Sequence, residues 1–489
     1  MSSYCTLISK KHDKAQFTLS VLFQTFLLIV LFLIMLAGEP GSMDPLAVSR
    51  IGLVITILCA IQLAFGGLLK APFLLFATFV LFSFGVPLIL AVDPGYSDWY
   101  FQQINKVTFS YFGWYTILCI QSYSLGLTLA RSVEGRGGTK TGVISRFSAF
   151  LEEHREAVAS VSQLIFITFG IVAFVYAVRF TSVSVASGIA LARAEVQNSA
   201  LVNLCRGMFI PAGFMLLVYS ESKKCKRFVL VVLFFYAALT SLSGDRTEGL
   251  TLLVAGFVFW YRHMGRPSGT NVLKSVIALC SCLVIVLLIP AIASFRIGGG
   301  FELDGILNTI KDVFSELGFN FYTVCFQSTL HLPMYHGLTY LASLTSLLPA
   351  SFDILHIQEV AHGLYGEVIY NQAMGANYPW ASFGLGYSLV AESYLNFGAY
   401  GFFIIALFGI FVGKLCGRED RSPFDRYLSY SFLWAFLTLA RRGFEFPVNS
   451  IEYIFVFLPI LVFVLVQIKM HFSPKTSNCN AAIGGSHAK

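Results

Sequence analysis

Long apolar segments recur along almost the whole chain, and they constrain its fold more than any other feature. Windows of about 17 to 23 apolar residues are each long enough, as a helix, to cross a hydrocarbon core about 30 Å thick. Of the 489 residues, 56% are hydrophobic and 12% are charged, whereas soluble proteins carry about 25% charged residues. The sequence therefore excludes a soluble globular fold and predicts an all-α, polytopic membrane protein.

These apolar segments predict about twelve transmembrane helices. Their predicted starts lie near the following residues: Phe17, Ile51, Pro72, Thr108, Ser160, Asn203, Phe228, Thr247, Val272, Tyr387, Tyr427 and Ile451.

Basic residues are concentrated in alternate loops. Most of the 33 lysines and arginines precede the first predicted helix or follow an even-numbered one. Because lysine and arginine are enriched in cytoplasmic loops, this pattern places both termini in the cytoplasm and requires an even number of spans. The net charge of +7 is thus explained by topology, and we predict no nucleic-acid partner.

One long loop on the outer face divides the predicted bundle. We expect an N-terminal bundle of about nine spans over residues 1–293, the outer loop over 294–385, a C-terminal bundle of about three spans over 386–468, and a cytoplasmic tail over 469–489. The loop is rich in aromatic residues and leucine, so we expect it to be folded. Residues 337–349 are too short to span and predict an interfacial helix.

Arginines near helix ends on the outer side are candidates for binding an anion, because topology does not require basic residues there. A planar guanidinium binds phosphate oxygens through two hydrogen bonds and keeps its charge at physiological pH. The alternative is a structural ion pair, for which Asp245, Glu248 and Glu445 are the neighbouring carboxyl groups. The four candidates are Arg246, Arg296, Arg441 and Arg442.

Four outer groups are candidates for proton transfer. Glu392 is the first choice, because an acidic side chain at a membrane boundary is costly and usually functional. Glu367, His362 and Asp353, in the outer loop, are the other three candidates. The alternatives are a helix-capping role for Glu392 and a structural role for a lone histidine.

Familiar metal and nucleotide motifs are absent from the sequence. We find no HExxH, GxxxxGK[ST], GxSxG or DxD-type pattern, and these motifs supply metal ligands, phosphate-binding loops or nucleophiles. The sequence predicts no cofactor and no bound metal.

Four sequence pieces resemble one known family. They are Gly244-Asp245-Arg246 opening a span, residues 337–349 with their Leu-Leu-Pro end, the run Ala-Glu-Ser-Tyr-Leu-Asn-Phe-Gly over 391–398, and Arg441-Arg442 before the last span. Together they resemble the bacterial O-antigen polysaccharide polymerases, the Wzy-type oligosaccharide repeat-unit polymerases.

The resemblance implies a membrane-embedded glycosyltransferase of the bacterial inner membrane. Its substrate would be an oligosaccharide on undecaprenyl diphosphate, joined to others at the periplasmic face among bilayer lipids. A chain-length-determining copolymerase is a further partner that the family suggests. On this reading Arg246, Arg441 and Arg442, with Arg296, hold diphosphates, while Glu392, or else Glu367 or His362, deprotonates the acceptor hydroxyl.

Two other functions fit the same hydropathy profile. A lipid-linked oligosaccharide flippase also has many spans, although the long outer loop and the absence of matched halves argue against it. An O-antigen ligase shares the large periplasmic loop and the lipid diphosphate donor but transfers to a lipid A core. The Tyr-Leu-Asn-Phe-Gly sequence after Glu392 favours the polymerase.

Overall fold

The computed structural model contains helices and no strands in the residues that it describes. These residues are 2–38, 40–64, 70–132, 143–187, 195–196, 200–243, 246–264, 306–347, 357–378, 387–439 and 441–472. The all-α prediction is confirmed for this part of the chain.

The α-helices of the described ranges are numbered in chain order. They are α1 (Ser2–Ala37), α2 (Pro45–Ala64), α3 (Ala71–Val92), α4 (Trp99–Gln103), α5 (Lys106–Ser132), α6 (Val143–Glu153), α7 (Arg155–Ser187), α8 (Ala200–Tyr219), α9 (Lys223–Ser243), α10 (Arg246–His263), α11 (Ile306–Leu317), α12 (Asn320–Thr329), α13 (Leu338–Leu344), α14 (Ile357–His362), α15 (Gly366–Asn377), α16 (Leu389–Phe397), α17 (Phe402–Cys416), α18 (Pro423–Leu437), α19 (Glu445–Ile451) and α20 (Leu458–Phe472). A π-helical segment, Glu452–Phe457, joins α19 to α20.

Eight helical segments within the described ranges are long and apolar enough to cross a membrane, so the multi-pass prediction is confirmed. Each corresponds to one of the predicted spans. They are Phe17–Ala37, Pro45–Ala64, Ala71–Val92, Arg155–Ser184, Leu201–Tyr219, Lys223–Leu242, Leu389–Cys416 and Glu445–Phe472.

The other four predicted spans are not confirmed. Helices α5, α10 and α18 form where three of them were expected. However, α5 is rich in polar side chains, α10 carries charged residues at both ends, and α18 has only 15 residues. The span expected near Val272 lies outside the described residues. The total of twelve, the cytoplasmic termini and the side of the long loop remain predictions.

Helix α5 lies inside the bundle, which explains its polar composition. Residues 112–128 are all buried. The Gln121 side-chain amide donates to the main-chain oxygen of Gln24 at 3.0 Å, and the Gln24 amide donates to Thr128 Oγ1 at 3.2 Å. Away from water an unpaired polar group is costly, so these bonds allow a polar helix to pack within an apolar bundle.

Glycines allow α17 to approach α5 closely. A Cβ atom at Gly409 would lie 2.7 Å from the carbonyl oxygen of Tyr123, and one at Gly413 would lie 2.6 Å from the Cβ of Ala130. Small residues at such contacts are typical of helix packing in membranes. Because α17 follows α16, this contact fixes the 391–398 run against the centre of the bundle.

The described part of the long loop is folded and packs on the bundle. A Cβ atom at Gly318, between α11 and α12, would lie 2.6 Å from the Cα of Gly85 in α3. Lys311 Nζ lies 2.6 Å from Asp93 Oδ2, which attaches α11 to the end of α3. Residues 320–327 of α12 are buried. The predicted domain division itself remains a prediction.

Asp98 connects the loop before α4 to α12. The hydroxyls of Tyr96 and Tyr322 each donate to Asp98 Oδ2 at 2.7 Å, and the Phe101 N–H donates to Oδ1 at 2.7 Å. Burial and the charge of Asp98 raise the pKa of both phenols. The two tyrosines therefore remain protonated and keep donating to the carboxylate.

The short helix expected within residues 337–349 is present as α13, followed by a 3₁₀ turn at Thr345–Leu347. Leu338, Leu341 and Leu344 are exposed, whereas Thr339 and Ser343 are buried. The polar groups thus face the protein and the leucines face outwards, as suits a helix lying on a membrane surface. That location remains a prediction.

Candidate functional site

Glu392 lies in the first turn of α16, inside the protein. Ser388 begins this helix: its Oγ accepts a hydrogen bond from the Ala391 N–H at 3.1 Å, as an N-cap residue does. Gly398 ends it with φ 56°, a left-handed value that favours glycine. Glu392 is 1% exposed, and a carboxylate near a helix N-terminus is stabilised by the helix dipole.

Both oxygens of the Glu392 carboxyl accept hydrogen bonds. Thr339 Oγ1, on α13, donates to Oε1 at 2.8 Å, and the Phe444 N–H, before α19, donates to Oε2 at 2.7 Å. The site therefore joins three elements that are far apart in the sequence. A carboxylate oxygen has two lone pairs, so each oxygen retains the capacity to accept a further hydrogen.

Asn396 determines which way the Thr339 hydroxyl points. Its side-chain amide donates to Thr339 Oγ1 at 2.7 Å and to the Glu392 main-chain oxygen at 2.9 Å. Asn396 Oδ1 accepts from the Gly337 N–H at 2.9 Å. Because Thr339 Oγ1 already accepts from Asn396, its single proton is directed to Glu392. All three side chains are at most 1% exposed.

The loop before α13 is held against the end of α16. The N–H groups of Tyr335 and His336 donate to the main-chain oxygens of Leu395 and Asn396 at 3.1 and 2.9 Å. His331 and His336 have φ of 47° and 50°, values uncommon for residues other than glycine. Such conformations persist where the surroundings hold them, and they cluster at functional sites.

Two glycines line the Glu392 carboxyl closely. A Cβ atom at Gly366, the first residue of α15, would lie 3.2 Å from Glu392 Oε1 and 2.9 Å from a Tyr387 ring carbon. A Cβ atom at Gly443 would lie 3.2 Å from Oε2 and 3.3 Å from the same ring. The carboxyl is therefore enclosed by Tyr387 and by two positions that have no side chain.

Further charged groups surround this carboxyl. Glu367 follows Gly366 in α15, and its Cβ would lie 3.9 Å from a Cβ at Gly443. The charges of Glu367, Glu392 and Glu445 act on one another, and the charge of Arg442 acts on Glu445. The structure thus brings Glu367 to Glu392 and adds Glu445, which the sequence suggested only as a partner for the arginines.

Arg441 and Arg442 form the turn between α18 and Phe444. Their N–H groups donate to the Thr438 main-chain oxygen at 2.9 and 3.2 Å. The Arg442 guanidinium lies 4.4 Å from the centre of the Phe446 ring. Two positive charges therefore lie within three residues of the N–H that binds Glu392, at the same end of the bundle.

The remaining candidates are not brought to Glu392. His362 is exposed at the end of α14, with its ring edge-on to Tyr365 at 5.3 Å. Arg246 begins α10, but its side chain lies outside the described residues, as do the whole of Arg296 and the whole of Asp353. Glu248, considered as a partner for Arg246, forms an ion pair with Arg206 at 3.0 Å.

Sequence reasoning missed Thr339, Asn396 and the Phe444 N–H. Asn396 follows Glu392 by four residues, so helical spacing alone places both on one face. Thr339 and Phe444 lie more than 50 residues away on either side, and no local pattern pairs them with Glu392. Among the residues searched, no group of His, Cys, Asp and Glu is arranged to hold a metal ion.

Comparison with known families identifies one match. A model of the family described as O-antigen polysaccharide polymerase Wzy matches residues 20–471, nearly the whole chain. This range includes every residue of the site around Glu392, and it confirms the resemblance seen in the sequence. No curated protein and no solved structure matches the chain.

Proposed function

Because the chain belongs to the O-antigen polysaccharide polymerase family Wzy, we propose that it joins oligosaccharide repeat units carried on undecaprenyl diphosphate, at the periplasmic face of the inner membrane. Family membership makes it a polymerising, glycosyltransferase-like membrane enzyme. Three details go beyond family membership and are part of our proposal: undecaprenyl diphosphate as the carrier, the inner membrane as the location, and its periplasmic face as the side of the reaction.

The proposed reaction transfers the growing chain from its carrier to a new lipid-linked unit. A hydroxyl oxygen of the acceptor sugar bonds to the anomeric carbon of the donor, and the bond from that carbon to the diphosphate oxygen breaks. The hydroxyl proton passes to a protein base, and lipid diphosphate leaves with the bonding electrons. The donor is already activated by its diphosphate, so the reaction requires no nucleotide.

In this proposal Glu392 is the base. The observation that supports it most is a buried carboxyl held by Thr339 and the Phe444 N–H, with lone pairs left to accept the hydroxyl hydrogen. Positioned bases contribute about 10²- to 10⁴-fold to such reactions. In this proposal the acceptor hydroxyl approaches the Glu392 carboxyl beside Gly366 and Gly443, because these two residues have no side chains to block it.

Arg441 and Arg442 hold the diphosphate in this proposal, together with Arg246 and Arg296 from the sequence analysis. Guanidinium groups near the leaving oxygen stabilise the charge that develops there, and loss of one preorganised donor costs about 10²- to 10³-fold in rate. Glu367 is the alternative base, because its carboxyl group is near enough to Glu392 for the two charges to interact. His362, exposed and directed to Tyr365, is the weaker candidate.

The test is a gel of surface polysaccharide from cells that lack the protein and are complemented with variants. We expect the wild type and the exposed-carboxyl control Glu153→Gln to restore a ladder. Glu392→Gln and Arg442→Ala should leave a single repeat unit on core lipid while inserting at normal levels. A normal ladder from Glu392→Gln would refute the assignment of the base.

The same gel separates the alternative functions. Unmodified core with long lipid-linked polymer in the null strain would indicate a ligase, and bare core without long polymer would indicate a flippase. If a copolymerase binds this protein, deleting the copolymerase should change the modal length of the ladder without abolishing the ladder.

A further inference from the structure

A carboxyl group without a partner lies deeper in the span that follows Phe444. Glu452 begins the π-helical segment, two turns or about 10 Å beyond Glu445. It is 1% exposed, and neither of its oxygens has a hydrogen-bond partner among the described residues. Ion pairs found in those residues do not include it. Acidic groups inside a membrane span are costly and are functional by default.

The helices around Glu452 are irregular, and one of them leaves a main-chain carbonyl without its usual helical donor. A π-helix is rare and often occurs at functional sites; here the Tyr427 hydroxyl donates to the Ile454 carbonyl at 2.6 Å. Helix α8 contains Pro211, which has no N–H to donate to the Gly207 carbonyl. The Tyr453 ring lies against Gly207, since a Cβ there would be 2.6 Å from a ring carbon.

Unpartnered polar groups also occur on α18. Tyr427, Ser431 and Trp434 are spaced by four and three residues, so they share the helix face that binds Ile454. Ser431 Oγ and Trp434 Nε1 are buried and have no hydrogen-bond partner within the described chain. Helices α8 and α18 are the other elements that pack most closely on the π-helical segment. The π-helical segment that begins with Glu452 therefore packs against both helices.

A bare carboxylate at such a position would need a compensating positive charge. The nearest arginine along α8, Arg206, is directed elsewhere: it pairs with Glu248 at 3.0 Å and lies over the Tyr176 ring at 5.2 Å. Protein cations therefore do not neutralise Glu452 in the described structure.

We propose that Glu452 is the anionic ligand of a cation site within the membrane, between α8, α18 and the π-helical segment, which binds a proton or a sodium ion. The Ser431 hydroxyl and the Gly207 carbonyl supply neutral oxygens, and Trp434 Nε1 donates to a water that accompanies the ion. Carbonyls freed where helices are interrupted are a known means of holding H⁺ or Na⁺ in membrane proteins.

Other titratable groups on these elements must be separated from Glu452 in any pH experiment. They are Glu445 two turns before it, Tyr453 beside it, Cys205, Arg206 and Tyr219 on α8, Asp425, Arg426, Tyr427 and Tyr430 on α18, and Lys469 and His471 at the far end of α20.

The experiment measures the melting temperature (Tm) of the purified full-length protein in nanodiscs. Na⁺ replaces choline at constant ionic strength, and pH is varied in a second series. We compare the wild type, Glu452→Gln and the exposed-carboxyl control Glu153→Gln. The wild type and the control should show a saturable rise in Tm, and Glu452→Gln should lose it because the amide needs no cation.

Each result decides between the sources or rejects the site. A rise with Na⁺ at constant pH assigns sodium, and a rise only as pH falls assigns a proton, provided that Glu452→Gln lacks the response. A response retained by Glu452→Gln, or no response in the wild type, would overturn the proposal. This test does not use polymerisation, so it is independent of the proposed function.

If Glu452→Gln cannot be purified, the wild type still permits a test. An apolar carbodiimide adds to protonated carboxyl groups in dry surroundings, and mass spectrometry locates the adduct. Labelling of Glu452 that is slowed by Na⁺ or by raised pH supports the site. Absence of labelling at Glu452 across the pH range contradicts it.

Discussion

At the scale of residues, the site depends on how hydrogen-bond donors are shared. Thr339 has one proton and two lone pairs, and Asn396 occupies a lone pair, so the proton is committed to Glu392. The Phe444 N–H, a main-chain group that among the natural amino acids only proline would remove, holds the other oxygen. One face of the Glu392 carboxyl is thus fixed by residues about 50 positions away, while its remaining lone pairs can accept further hydrogen bonds.

Replacing Thr339 tests this arrangement. Thr339→Val keeps the shape but removes the donor, which leaves Glu392 Oε1 and the Asn396 amide unsatisfied. Loss of a buried bond to a charged group costs about 1 to 3 kcal/mol, or about 5- to 150-fold in rate. We expect that loss in the turnover of lipid-linked repeat units in proteoliposomes.

Thr339→Ser is the matched control, because it restores the hydroxyl and should retain most of the turnover. Equal activity of the valine and serine variants, at equal insertion, would show that the hydroxyl does not position Glu392.

At the scale of elements, the beginning of α15 is fitted against the carboxyl. Gly366 is the first residue of this helix, and a Cβ atom at that position would contact the Tyr387 ring and Glu392 Oε1. Helix α13 is likewise two-sided, since its leucines are exposed and its Thr339 is buried at the site.

Two glycines of α15 provide a matched pair. Gly366→Ala places a methyl 2.9 Å from the Tyr387 ring, whereas Gly375→Ala meets nothing within 4 Å. Overpacking of this kind costs about 1 to 3 kcal/mol, so Gly366→Ala should lower turnover and destabilise the site. Gly375→Ala should match or exceed the wild type in stability, because alanine favours helix over glycine.

The measurement is ladder formation together with the melting temperature of each purified variant. Finding Gly366→Ala as active and as stable as Gly375→Ala would mean that α15 does not enclose the carboxyl as described.

At the scale of the whole molecule, the site elements meet at one end of the bundle. Helix α18 contacts α19, which also contacts α13, and both α12 and α15 contact α16. Lys311 attaches α11 to the end of α3. The ion pair of Arg262 with Glu419 lies at the other end of the bundle, where α10 and α17 end. A bundle with chemically distinct ends requires a fixed orientation in the membrane.

Thiol labelling tests that orientation. Gly363, in open space between α14 and α15, and Ser222, before α9, lie on opposite predicted sides. A membrane-impermeant thiol reagent should modify Gly363→Cys in spheroplasts and Ser222→Cys only after lysis, judged against wild-type background. The reverse pattern would invert the topology and remove the periplasmic assignment.

Much of the fold could be predicted because hydropathy is local. Eight of the expected spans coincide with helices of sufficient length and apolarity, since crossing a bilayer sets a minimum length for each segment. Helices α5, α10 and α18 form where spans were predicted but do not meet the requirement for length and apolarity. Helix α5 is rich in polar side chains, α10 carries charged residues at both ends, and α18 has only 15 residues. Glu392 and Asn396 share one turn, so their proximity was also available from spacing.

Contiguous residues are enough to predict a helical, multi-pass protein with an acidic residue and paired arginines in its C-terminal third, because span length and helical period are local properties. The packing of distant segments is needed to show that Thr339 and the Phe444 N–H hold Glu392, that Arg206 pairs with Glu248, and that Glu452 is buried without a hydrogen-bond partner in the described residues. Hydrogen bonds act over about 3 Å, and which distant segments come within that range depends on how the whole bundle packs.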